Sequence, residues 1–179
     1  MKNILKRYRV FLILLKANVA IGLVMPEIGL KSLDLTKQNL VEMLSVIPPI
    51  FVLLGLLDVW VDRATMIKYT GKGSGLKGAL IAFLVGSAAA GPLYAAFPVA
   101  GMMLKKGSSL MNVFILIGAW STTKIPLLTF EAANLGFPFT LTRLALSSIG
   151  ILAIAMVTQK SLSPTQQNEV YEINESQHP

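Results

Sequence analysis

The sequence predicts an all-α fold: a polytopic membrane protein of about four transmembrane helices plus one re-entrant or broken helical hairpin. Three observations carry that prediction. Of the 179 residues, 54% are hydrophobic and only 14% are charged, whereas a soluble domain is about a quarter charged. Mean hydropathy is +0.64. The apolar residues gather in long runs rather than in amphipathic stripes, the pattern of bilayer-spanning helices.

Composition also excludes chemistry. Cysteine is absent, which removes disulfides, thiolate metal sites and cysteine nucleophiles. The only histidine is His178, beside the C-terminus, so no histidine serves an internal site. No cofactor or metal is expected. The net charge of +7 marks the cytoplasmic side of a membrane protein and does not indicate nucleic acid.

Five hydrophobic segments follow in order. The opening "MKNILKRYR" has the charge of a signal-peptide n-region. The apolar run behind it is interrupted by Lys16 and continues to about Ile28, so Val10 to Ile28 is read as a retained first helix. Leu40 to Val61 is the second segment, with a kink expected at Pro48-Pro49. Gly78 to Leu104 is the third, Leu110 to Phe130 the fourth and Phe137 to Val157 the fifth. The first, second, fourth and fifth each have the ~20 residues that cross a ~30 Å hydrocarbon core. The polar end, "TQKSLSPTQQNEVYEINESQHP", reads as a disordered tail. Its sequon Asn174-Glu175-Ser176 reads as a chance match.

The third segment sets the topology. The basic N-terminal residues Lys2, Lys6, Arg7 and Arg9 place the N-terminus in the cytoplasm. If the third segment spans, eight Lys/Arg lie inside and five outside; if it re-enters, eleven lie inside and two outside, with Lys16, Lys124 and Arg143 within the membrane in both cases. The positive-inside rule favours the hairpin and puts both termini in the cytoplasm. A length of ~40 Å as one helix is also more than a straight crossing needs. A long, tilted and broken spanning helix is the alternative.

The stretch "GSAAAGPLYAAFPVAG" (residues 86–101) is where that segment breaks. Pro92 lacks an N–H and disfavours helical geometry at Gly91. Such a break frees carbonyls on one arm and N–H groups on the next, which discontinuous helices use to bind ions or polar solutes at mid-membrane depth. Tyr94 adds a hydroxyl, Ser87 lies one turn before Gly91, and Pro98 is a second break residue. Gly86/Ala90 and Ser87/Gly91 have the small-xxx-small spacing of closely packed membrane helices. The competing reading is a tight packing motif with a proline kink.

Ionisable residues inside apolar segments are costly and are candidates for function. Lys124 and Arg143 each lie six residues from the outer end of their segments, ~9 Å deep at 1.5 Å per residue. Glu131 follows as a counter-charge. Pro126 leaves the Thr122 carbonyl without its helical partner. The bland reading is that both cations snorkel to the interface, as Lys16 is expected to do. Asp58 and Asp62 read as a solvated helix end. Gly73-Ser74-Gly75-Leu76-Lys77-Gly78 fits G-x-G-x-x-G, but no buried strand precedes it and position 98 is proline, not an acid, so nucleotide binding is discounted.

With these segments placed, the stretch "AGPLYAAFPVAGMMLKKGSSLMNVFILIGAWSTTKIPLLTFEAANLGFPFTLTR" resembles the later half of the predicted-permease family, whose members include ArsP-type organoarsenical exporters. The resemblance runs from about Leu44 to Thr158. It rests on A-G-P-x-Y-A-A-F-P, K-K-G, A-W-x-x-x-K-x-P, E-x-x-x-L-G and the final Arg143. By hydropathy and composition the chain divides into residues 1–39, a basic N-terminus and first helix, 40–157, the permease module that carries the resemblance, and 158–179, the tail. Larger members carry two such modules, so the resemblance implies a half-size permease that pairs as a homodimer or with a sister subunit. The lysine and arginine bias favours a parallel homodimer, or a heterodimer with an oppositely inserted partner. Members with a cysteine motif at the break handle arsenicals; here the break has no cysteine, and soft metalloid specificity loses its ligand.

The resulting expectation is a non-enzymatic permease subunit of the cytoplasmic (inner) membrane moving a small polar or anionic solute, efflux being one form. Its path would comprise Ser87, Gly91, Pro92, Tyr94, Pro98, Trp120, Lys124, Pro126, Glu131 and Arg143. Its partners would be the lipid bilayer, a second subunit and the solute. A membrane scaffold without transport activity is the alternative. It expects Lys124 and Arg143 to be buried in salt bridges.

Overall fold

The structure is a computed structural model that describes residues 8–89 and 91–177. Lys2, Lys6, Arg7, Ala90 and His178, all invoked above, lie outside the described residues. The described residues form nine α-helices and one 3-10 turn, with no strand among them. The all-α class is therefore as the sequence predicts.

The chain divides into two compact units, residues 1–48 and 49–179. In the first, helix α1 (Arg9–Val24) and the start of α2 (Pro26–Trp60) form a hairpin. The expected first segment ran on to Ile28, but the helix stops at Val24. Pro26 is the reason: it restricts Met25, which caps α1 at φ −130°, ψ 79°, and then starts α2. At 16 residues α1 is ~24 Å long, short of a ~30 Å core. The polar stretch around Lys31 and Lys37, between the first two apolar segments, is helical as part of α2. A Cβ on Gly29 would stand 2.4 Å from the Gly22 Cα, so a glycine pair sets this hairpin's closest approach. Asn18 Nδ2 donates to Ser32 Oγ across it at 2.7 Å. Helical geometry continues through Pro48-Pro49, and the two units divide between these prolines.

The second unit holds the rest. Helix α3 (Arg63–Thr70) is capped by Asp62, whose carboxylate accepts from Thr65 N–H at 3.0 Å. Hydrogen bonding from the Thr65 side chain, with that backbone bond second, holds the Asp62 carboxyl below its ordinary value. Helix α4 (Gly75–Ala88) is the first arm of the broken segment. A 3-10 turn (Leu93–Ala95) follows, and α5 (Ala96–Lys105) is the second arm. Pro98 does not break α5. It occupies the first turn, where a missing N–H costs no helical bond. Helix α6 (Leu110–Thr122) is capped by Ser109, and α7 (Ile125–Asn134) follows after Thr123-Lys124. Helices α8 (Phe137–Ser161) and α9 (Pro164–Gln177) complete the unit.

Helices α4 and α6 pack along each other in the same direction. Their starts are tied by Asn112 Nδ2 donating to Ser74 Oγ at 2.9 Å, and their ends by Ser87 and Thr123, whose hydroxyls are 2.8 Å apart. Between them, a Cβ on Gly86 would meet the Leu116 carbonyl oxygen at 2.5 Å. Gly86 thus plays the close-packing part expected of it. Gly91 does not, because α4 has ended at Ala88 before reaching it. The chain from Ser74 to Ser109 leaves and returns to one place: Ser109 N–H donates to the Thr70 carbonyl at 2.8 Å, and Asn112 Nδ2 donates to the same oxygen at 2.8 Å.

Among the described residues, three helical segments are long and apolar enough to cross a membrane: Pro26–Trp60, Leu110–Asn134 taken through its break, and Phe137–Ser161. Gly75–Ala88 and Leu93–Lys105 are shorter apolar helices. The tail expected to be disordered is helical over Pro164–Gln177 and packs on α5. Two polar anchors explain the difference: Tyr171 donates its hydroxyl to the Ser108 carbonyl at 2.9 Å, and Asn174 Nδ2 donates to the Gly101 carbonyl at 3.0 Å. The sequon amide is thereby engaged within the fold.

Candidate functional site

Two helix breaks meet. The first, marked by Ala89, Gly91 and Pro92, follows the end of α4. The second, at Thr123-Lys124, divides what the sequence read as one continuous fourth segment. Pro126 causes the second break: it takes the second position of α7 and cannot donate to Thr122. By contour the break is ~15 Å from Asn134 and ~20 Å from Leu110, close to the middle of a bilayer-long segment. That is deeper than the ~9 Å implied by ending the segment at Phe130.

Gly91 has φ +107°, a conformation open to glycine and strained for other residues. Its carbonyl accepts Lys124 Nζ at 2.8 Å and lies 3.4 Å from the Trp120 indole nitrogen. One carbonyl of the first break is thus held by two side chains flanking the second. Beside it, Ser87 and Thr123 share their hydroxyl contact, with Thr123 fully buried and Ser87 7% exposed.

The neighbouring layer carries the ion pair. Arg143 Nε donates to Glu131 Oε2 at 2.5 Å, and its Nη1 donates to the Thr122 carbonyl at 2.8 Å. The oxygen that Pro126 leaves open is therefore satisfied by Arg143, reached from α8. Arg143 Nη2 is buried with no partner. Lys124 has no carboxylate within salt-bridge distance among the described residues.

Of the expected path residues, Ser87, Gly91, Trp120, Lys124, Glu131 and Arg143 converge on these two linked layers, and Pro92 and Pro126 shape the breaks. Tyr94 lies in the 3-10 turn next to the break, 38% exposed. Pro98 starts the return arm rather than joining the site. The Gly91 carbonyl, expected to be free for a solute, is occupied by Lys124.

Sequence reasoning missed three residues. Thr123 has no role legible in the sequence, because its partner Ser87 is 36 residues away. Asn112, 3% exposed, ties α6 to the α3–α4 loop. Lys106, counted only as one of the cytoplasmic charges of the hairpin, is 7% exposed. It forms an ion pair with Asp58 at 3.1 Å and donates to the carbonyls of Leu57, Asp58 and Val61 at 3.1, 2.7 and 2.5 Å. Asp58 and Asp62 are thus not simply a solvated end: one pairs with Lys106 and the other caps α3. The G-x-G-x-x-G stretch forms the end of the α3–α4 loop and the first turn of α4, with no strand before it among the described residues.

Bilayer-length apolar helices around a buried polar crossing are those of a multi-pass membrane protein. The chain belongs to the predicted permease family, whose model matches residues 30–178. The match extends beyond the Leu44–Thr158 stretch that carries the resemblance and includes the tail helix. Neither curated proteins nor solved structures give a match.

Proposed function

We propose that the chain is a half-size permease subunit of the cytoplasmic membrane, with both termini cytoplasmic, working as a homodimer or with a sister subunit. A small polar or anionic solute crosses at the meeting of the two helix breaks. The observation that carries this reading is the joining of two mid-segment breaks through Lys124, Trp120 and the Gly91 carbonyl. Irregular backbone at membrane depth is tolerated where protein or an aqueous cavity surrounds it, and transporters place their solute sites there. The segment 75–105 is a re-entrant hairpin in this reading. Its support is the return of Ser109 and Asn112 to Thr70 and Ser74.

The scaffold reading draws support from Arg143, which is ion-paired with Glu131 as that reading expects. Lys124 does not fit it, since its partner among the described residues is a neutral carbonyl. Single cysteines in this cysteine-free chain separate the two. A small water-borne thiol reagent is expected to label Tyr94→Cys in membranes, and protection of that position defeats the pathway. Lys72→Cys and Lys105→Cys are expected to react with an impermeant reagent from the same side; labelling from opposite sides defeats the hairpin.

A further inference from the structure

The charge balance at the crossing is uneven. Between Gly78 and Gln159 the sequence has five charged side chains: Lys105, Lys106, Lys124, Glu131 and Arg143. Lys106 is paired with Asp58 at the opposite end of α5, where Lys105 also lies. Glu131 is taken by Arg143. Lys124 is left on a carbonyl, which supplies a dipole but no countercharge. A cation withdrawn from water is costly unless an opposite charge compensates it.

The hydrogen-bond balance points the same way. Among the described residues, the buried side-chain polar atom without a partner is a donor, Arg143 Nη2. Its sister nitrogen bonds Thr122, two positions from Lys124. The Lys124 ammonium has three N–H donors, of which Gly91 uses one. The crossing therefore has donors in surplus. The break carbonyl that would coordinate a cation is already filled by a tethered one.

We infer that Lys124 is a tethered cation that latches the two breaks together through the Gly91 carbonyl, and that the solute which opens the latch is a small anion. The inference rests on the crossing being the solute path. An anion supplies the missing charge and draws Nζ from Gly91. Trp120 Nε1, already aimed at that carbonyl, keeps it from being left bare. A cation would have to displace the lysine and then face its charge.

Trp120 is also the reporter. The chain has two tryptophans, and Trp60 is 76% exposed, so Trp60→Phe leaves Trp120 alone beside the latch. The full-length Trp60→Phe chain is placed in lipid nanodiscs. Phosphate, nitrate and acetate are titrated in exchange for gluconate, and sodium, potassium and methylammonium in exchange for N-methylglucamine. At least one anion is expected to shift Trp120 emission saturably, and none of the cations. Lys124→Met is expected to weaken that anion response about tenfold or more. Lys124→Arg, which keeps the charge, retains it and controls for folding. A response to cations but not anions, no response to any of the three anions, or an undiminished anion response in Lys124→Met overturns the inference. Labelling of Tyr94→Cys separates the two failures: a labelled Tyr94→Cys with no anion response sinks the latch alone, whereas a protected Tyr94→Cys sinks the pathway itself.

Discussion

Lys106 and Lys124 are the same residue type, each reaching across the second unit to backbone carbonyls, and they are satisfied very differently. Lys106 closes the C-terminal end of α2 with three carbonyls and the Asp58 carboxylate. A cation there meets the orphan carbonyls and the negative end of the helix dipole together. Among the described residues, Lys124 has one carbonyl at a junction between helices and no carboxylate. A saturated lysine holds structure in place, whereas an unsaturated one retains donors for something else. The difference lies in what surrounds each residue, not in the residue.

The largest expected effect tests that contrast directly. Lys106→Met removes a charged donor from three carbonyls, and we expect a loss of about 2–4 kcal/mol in unfolding free energy. The Asp58 side chain is 60% exposed, so the ion pair itself supplies less than about 1 kcal/mol of this. Lys124→Met is expected to cost half as much or less, because one bond is lost and Trp120 remains on the carbonyl. Denaturant titration of both variants in micelles ranks them. The reverse order breaks the contrast.

A middle-sized effect belongs to the ion pair. Glu131 is 8% exposed and the Arg143 side chain 23%, so the pair is less screened than Lys106–Asp58. Glu131→Gln, Arg143→Gln and the double variant form a cycle, and a coupling of about 1–2 kcal/mol is expected. A coupling near zero would mean that Arg143 is held by the Thr122 carbonyl alone. Such a result would move Arg143 toward the unsaturated class and sharpen the contrast in a different place.

Much of this site is legible in the sequence, because its signals are covalent or local. Pro92, after a glycine, marks the first break, and Pro126 names Thr122 as the carbonyl it abandons, although the segment around it reads as one continuous helix. Lys124, Glu131 and Arg143 stand out as charges among apolar neighbours. What the sequence does not disclose is pairing. That Arg143 supplies Thr122, that Lys124 supplies Gly91 and that Ser87 meets Thr123 depend on packing between segments remote in the chain. Position within the helix also escaped: Pro98 looks like a breaker until the start of α5 is known, and Pro26 was passed over because the apolar run continues around it. The tail misled for a related reason. Its composition is that of an unstructured segment, but two side chains with carbonyl targets suffice to dock it.

That docking gives the smallest effect, and it bears on the Lys106 end. Tyr171 donates to the Ser108 carbonyl two residues from Lys106, while Asn174 holds Gly101 on the same return arm. Burial raises the Tyr171 phenol above its ordinary value of 10.0, with a backbone hydrogen bond opposing. A raised value in the folded state means that the docked tail favours the protonated phenol. Its contribution is complete below pH ~10 and declines as pH rises toward and through the folded value. Tyr171→Phe is expected to cost about 1 kcal/mol and to speed proteolysis of the α9 segment at neutral pH. In the native protein the same acceleration is expected to appear only above pH ~10, and Tyr171→Phe should abolish that alkaline step. If the step persists in the variant, another group holds the tail. If proteolysis is unchanged at both pH values, the Lys106 end is held by the lysine alone, and its saturation does not extend to the tail.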